Sequence, residues 1–149
     1  MTDFNLLIDL HKNNFRQGPG SDAMTQKALE ATGLTPNKNL RIADIGCGTG
    51  AQTFVLAKQL GGQVTAVDVF PEFLEILHER AGEKELTKIT TMAASMDELP
   101  FAQNSFDLIW SEGAVYNNQE DFEAYVRKTS LEFNHPIEID FVKIEEKSK

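Results

Sequence analysis

The chain has 149 residues, 14 basic against 23 acidic for a formal net charge of -9, 41% hydrophobic residues and a single cysteine, Cys47. That size suits one domain with one sizeable core, burying roughly two thirds of the unfolded surface. The acidic balance and the lack of a basic cluster argue against nucleic acid or an anionic membrane as partner. One cysteine excludes an internal disulfide, and with neither a signal-peptide pattern nor a bilayer-length apolar run a cytoplasmic protein is expected.

In chain order, Leu6, Leu7 and Leu10 suggest a short helix, and RQGPGS turns into a second, with Ser21 as N-cap and Gly33 as stop. LRIADI reads as a buried strand, AQTFVLAKQL as a helix ending at Gly61 and Gly62, and QVTAVDVF as a second strand. PEFLEILHERAG follows as a helix, with Pro71 in its first turn and Gly82 as its stop, then KITTMAA and SFDLIWSE as strands. Alternation of strand and helix predicts an α/β fold: a three-layer, Rossmann-like, mostly parallel sheet with helices on both faces. Beyond Asn118, Phe122, Tyr125, Val126 and Thr129 fit one helical face, and Ile137, Ile139 and Phe141 alternate as in a half-buried strand. The chain is thus read as one domain over 1–149: a helical segment 1–34, a motif-bearing core 35–118, and an atypical helix plus strand over 119–149.

ADIGCGTGAQTF, from Ala43 to Phe54, is a glycine-rich turn between a buried strand and a helix. Glycines there let a nucleotide-like ligand approach the backbone. Gly46, Gly48 and Ala51 also satisfy the looser dinucleotide fingerprint, so the glycines alone leave two ligand types open. Asp44 helps to choose, because a carboxylate would repel a pyrophosphate at the following helix N-terminus, whereas the ammonium and sulfonium of S-adenosyl-L-methionine are natural partners for it. Asp68, 18 residues beyond Gly50, could accept from both ribose hydroxyls of either ligand.

DIGCGTG, VDVF, SMDELPF and FDLIWSEGAVYN together resemble the class I S-adenosylmethionine-dependent methyltransferases, especially the ubiquinone and menaquinone biosynthesis group, over a span from RQGPGS to AVYNN. The resemblance implies S-adenosyl-L-methionine as cofactor and methyl transfer to a small-molecule acceptor. It implies that Asp44, Gly46 and Gly48 line the methionine portion, with Cys47 of the same turn counted in the cofactor-binding set, that Asp68 holds the ribose, and that Val69 and Phe70 flank the adenine. The family more often has an aspartate where Ser95 stands, so Met96 and Asp97 are assigned to the adenine edge. Gln17 and Gly18, in the segment expected to fold over the cofactor, complete the cofactor-binding set. The lysine-proline-glycine-glycine-like turn that normally follows is missing, and about five strands can be counted, fewer than the family usually carries. The C-terminal part is therefore read as shortened, and a homodimer that completes the sheet is a possible state.

Glu112, Tyr116 and Asn117 follow the last strand of the core, at the edge where open α/β sheets bind ligands, and are candidate acceptor contacts. Glu112 or His11 could supply a base, although the sulfonium makes a dedicated base optional. The Cys47 side chain reads as packing and not as a nucleophile. His11, His78 and His135 have no ligand-like spacing, so no metal is implied. Two alternatives stand beside methyl transfer: a domain that binds S-adenosylmethionine without turnover, and a nicotinamide-dependent oxidoreductase.

Overall fold

The computed structural model describes residues 3–18 and 20–113. Helix α1 spans Asp3–His11 and α2 Asp22–Ala31. Then come β1 (Arg41–Ile45), α3 (Ala51–Leu60), β2 (Gln63–Asp68), α4 (Pro71–Glu83), β3 (Ile89–Ala93) and β4 (Leu108–Trp110). No helix among the described residues is long and apolar enough to cross a membrane.

Local chemistry explains most boundaries. The Ser21 hydroxyl accepts from the Met24 amide at 3.2 Å and caps α2, and Gly33 lies just past its end with φ 70°. α3 is bracketed by glycines in the left-handed region, Gly50 at φ 95° and Gly61 at φ 70°, a conformation that side chains resist. Pro71 opens α4, where its missing N–H costs nothing.

Three expectations need correction. Gly82 does not stop α4: the helix runs through Glu83, and the left-handed residue that ends the turn is Glu85, φ 54°, after which the Leu86 amide returns to the Ala81 carbonyl. QVTAVDVF ends as a strand at Asp68, leaving Val69 and Phe70 in the following turn. SFDLIWSE pairs only over Leu108–Trp110. The helix and strand expected after residue 118 lie outside the described residues.

The four strands form a parallel sheet in the order β3-β2-β1-β4. Side chains alternate across it. Ile42, Val64 and Ala66 face a core built with Leu29 of α2, Phe54, Leu56 and Leu60 of α3, and Leu74, Leu77 and Ala81 of α4. Ala43, Ile45 and Val67 face the opposite side, covered among the described residues by Leu99, Phe101 and Phe106 of the β3–β4 connection, the last two ring-on-edge at 4.8 Å. Helices α2, α3 and α4 thus share one face. With every strand pointing the same way, the carboxyl ends of β1 to β4 converge on one edge, where an open α/β sheet receives its ligand.

Candidate functional site

The glycine turn is pinned before it can hold anything else. The amides of Gly46 and Cys47 both donate to the Val67 carbonyl, at 2.8 and 3.0 Å, tying the turn to the end of β2. Gly46 and Gly48 take φ values of 75° and 55°. The Gly48 amide then donates to Asp68 Oδ2 at 2.9 Å, and the Phe70 amide to Oδ1 at 3.0 Å. Asp68 is therefore oriented by backbone amides, and its two oxygens keep lone-pair capacity for a ligand. Burial pushes its pKa up, while the amides of Phe70, Gly48 and Val69 pull it down.

Above this edge lies a cavity of about 420 Å³. Of the cofactor residues expected from sequence, it is lined by Gln17, Gly18, Gly46, Cys47, Gly48, Asp68, Val69, Phe70, Met96 and Asp97, and Glu112 of the acceptor set lines it too. Its carboxylates are Asp68, Asp97 and Glu112, and no lysine, arginine or histidine lines it among the described residues. Phe70 meets Phe73 edge-on at 5.4 Å, forming an apolar wall beside Asp68. Ser95 and Asp97 share one exposed turn, the Asp97 amide donating to the Ser95 hydroxyl at 3.3 Å. Tyr116 and Asn117 lie outside the described residues.

Asp44 is the expected site residue that the cavity does not reach. It has no exposed surface, and its carboxylate takes the Thr53 hydroxyl at 2.6 Å and Gln52 Nε2 at 3.4 Å. Burial raises its pKa to about 7 against these two hydrogen bonds, and the charges of Glu112 and Asp68 push the same way. Asp44 therefore lies behind the cavity wall and is separated from it by Gln52.

Glu112 is also committed. Its oxygens receive Arg16 Nη1 at 2.6 Å, the Thr25 hydroxyl at 3.0 Å and Trp110 Nε1 at 3.1 Å. Burial raises its pKa and these donors lower it. A carboxylate surrounded by three donors is a structural anchor for the segment 11–17, not a free base, and His11 does not line the cavity. Gln17 closes the same segment onto the turn: its Oε1 accepts from the Thr49 amide at 2.9 Å, and its Nε2 reaches the Thr49 hydroxyl at 2.8 Å. A Cβ on Gly48 would stand 2.5 Å from Gln17 Oε1, so the missing side chain makes room for this closure. Arg80 of α4 adds a bond to the Thr49 hydroxyl at 2.9 Å and lies 5.5 Å from the Phe15 ring centroid.

Sequence reasoning missed Gln52, Thr53, Thr49 and Arg16. A signal existed for the first two, because Gln52 and Thr53 are polar residues in a helix whose first seven residues, Ala51 to Ala57, are all buried. Buried polar groups need partners, and theirs is Asp44. Arg16 and Thr49 carried no such signal, since the bond from Arg16 to Glu112 spans 96 positions and the side-chain partners of Thr49 stand 31 to 35 positions away in sequence.

A family model described as a methyltransferase domain matches residues 42–130. The chain is 32% identical over 114 residues to the chloroplastic 2-methyl-6-phytyl-1,4-hydroquinone methyltransferase 2 of Oryza sativa, covering 75% of this chain and 31% of that protein. It is 38% identical over 74 residues to demethylmenaquinone methyltransferase of Staphylococcus aureus, covering 48% and 30%. The chain thus spans about a third of the length of these curated relatives. Among solved structures, phosphoethanolamine N-methyltransferase 2 of Haemonchus contortus in complex with S-adenosyl-L-methionine aligns with a TM-score of 0.70 at 23% identity, covering 86% of this chain and 30% of that one. The cyclase SpnF aligns at 0.61 with 26% identity, covering 70% and 40%. A cyclase on the same fold shows that the fold does not dictate the reaction.

Proposed function

The chain belongs to the methyltransferase domain family, and on that premise we propose that it binds S-adenosyl-L-methionine and transfers its methyl group to a small-molecule acceptor. One observation carries the reading: the cavity is lined by carboxylates and by no cation among the described residues, and Asp68 is held there by two backbone amides with acceptor capacity to spare. Such a site repels a pyrophosphate and suits a ligand with a ribose diol and a positive charge.

When bound, the cofactor supplies a methyl group made electrophilic by its sulfonium. Asp68 accepts from the ribose hydroxyls, Gly46 and Gly48 let the ligand approach the turn, and Cys47 contributes backbone with its thiol buried. Val69 and Phe70 border the adenine, Met96 and Asp97 meet its edge, and Gln17 and Gly18 close the N-terminal side. Phe73, edge-on to Phe70, extends the apolar wall on the adenine side. Glu112 holds Arg16 and so positions the segment that covers the site, while Tyr116 and Asn117 belong to the acceptor side of this reading.

The same reading takes residues 1–149 as one domain without a nucleic-acid partner, which the charge of -9 supports. It places the protein in the cytoplasm, where the buried free thiol of Cys47 would stay reduced. It includes a homodimer, supported by the outer edge of β4, which is unpaired among the described residues.

Calorimetric titration with S-adenosylmethionine, S-adenosylhomocysteine and NAD tests the reading. Binding of the first two near micromolar with none of NAD is expected; NAD binding, or no binding by the folded protein, overturns it. Turnover against phenol, amine, thiol and carboxylate acceptors then separates an enzyme from a domain that only binds.

A further inference from the structure

Two glutamines line the cavity, and their amides are in opposite situations. Both ends of the Gln17 amide are used, on Thr49 and on the carbonyls of His11 and Asn14. Gln52, in the first turn of α3 and 6% exposed, uses only one end. Its Nε2 lies 3.4 Å from the Cys47 carbonyl and 3.4 Å from Asp44 Oδ1. A backbone carbonyl can only accept, so Nε2 must face it whatever the protonation of Asp44, and the orientation of the amide is fixed. Gln52 Oε1 accepts no hydrogen bond among the described residues, yet it is not one of their buried, unpartnered atoms. Gln52 is among the residues that line the cavity, so this oxygen belongs to a cavity-lining side chain.

We propose that Gln52 Oε1 recognises the ammonium of the cofactor's amino-acid end, with Asp44 acting behind it as a positioning residue. This rests on the cofactor reading above. The other acceptors around the cavity are differently placed: Asp68 sits at the end of β2 between two amides, Asp97 stands on the exposed turn after β3, and Glu112 is engaged by Arg16, Thr25 and Trp110. Gln52, at the start of α3 directly after the glycine turn, supplies the uncommitted side-chain oxygen. An amide oxygen selects a cationic donor without the desolvation cost of a second buried carboxylate beside Asp44. An ionised Asp44 on the N–H side also polarises the amide toward Oε1, strengthening it as an acceptor.

The test compares two ligands on two proteins by calorimetry. 5′-Methylthioadenosine shares adenosine and sulfur with S-adenosylhomocysteine and lacks the amino-acid end. In Gln52→Met, S-adenosylhomocysteine is expected to bind about tenfold more weakly, as befits a lost charge-assisted hydrogen bond, and 5′-methylthioadenosine within about twofold of wild type. Equal weakening of both ligands would mean that Gln52 merely supports the cavity, and no weakening of either would mean that it touches neither; each outcome overturns the proposal. A measurement on the unaltered protein keeps the question open to refutation if the variant fails to fold. The analogue of S-adenosylhomocysteine without its amino group should bind about tenfold more weakly than the parent, and equal binding overturns the proposal. Failure of the cofactor reading looks different, because then the wild type binds neither S-adenosylhomocysteine nor 5′-methylthioadenosine.

Discussion

The ends of β1 and β2 carry the same residue type, and the chain uses them in opposite ways. Asp44 is sealed against Thr53 and Gln52, whereas Asp68 opens into the cavity between the amides of Gly48 and Phe70. Alternation puts both on the sheet face that meets the helices. Their heights differ. Asp44 pairs in register with Ala66, so Asp68 stands two residues further toward the carboxyl edge, about 6–7 Å along the strand. One pleat separates a carboxylate that organises a helix from one that can meet a ligand. Equivalent chemistry at a strand end therefore does not imply equivalent function.

Changing the buried member should produce the largest effect. The Asp44 pKa of about 7 lies above the ordinary 3.8, so the folded state keeps a proton that the unfolded chain has released. The stability contributed by that proton is complete below about pH 4 and lost as pH rises through 7. Asp44→Asn, whose amide can still face Gln52 and Thr53, should lack this dependence. Denaturant unfolding should show the wild type losing up to about 4 kcal/mol relative to the variant between pH 4 and pH 8. Parallel curves would mean that Asp44 is not held away from water. The next effect belongs to the exposed member: Asp68→Ala should weaken S-adenosylmethionine binding at least about 100-fold by calorimetry, while Asp44→Asn at pH 8 weakens it less than about threefold. If the two substitutions cost the same, the contrast between the strand ends collapses. Smaller again is Gly48→Ala, which places a side chain at φ 55° and displaces Gln17 Oε1. A loss of about 2 kcal/mol in thermal or denaturant unfolding is expected, and no loss would show that the turn tolerates a Cβ.

Much of this architecture was legible from the chain. α3 was read correctly because glycines bound it on both sides and its interior is apolar, and Ser21 was read correctly because an N-cap is a local device. The Gly82 expectation failed because α4 ends through Glu85 and the return of the Leu86 amide to Ala81, a closure to which a glycine at 82 adds nothing. The height of Asp44 relative to Asp68 depends on strand register, which no local pattern encodes. Glu112 looked like a free acid because Thr25 and Arg16, 87 and 96 positions away, become its donors only when the sheet has formed.

The closure of Gln17 over the glycine turn has one more consequence. The Thr49 amide hydrogen points at Gln17 Oε1, so it can trade with solvent deuterium only when the 11–17 segment lifts. Nature has thus left an isotopic clock in the turn itself: the exchange rate at that one amide reads how often the site breathes, and a ligand that holds the segment down would slow it without touching Thr49.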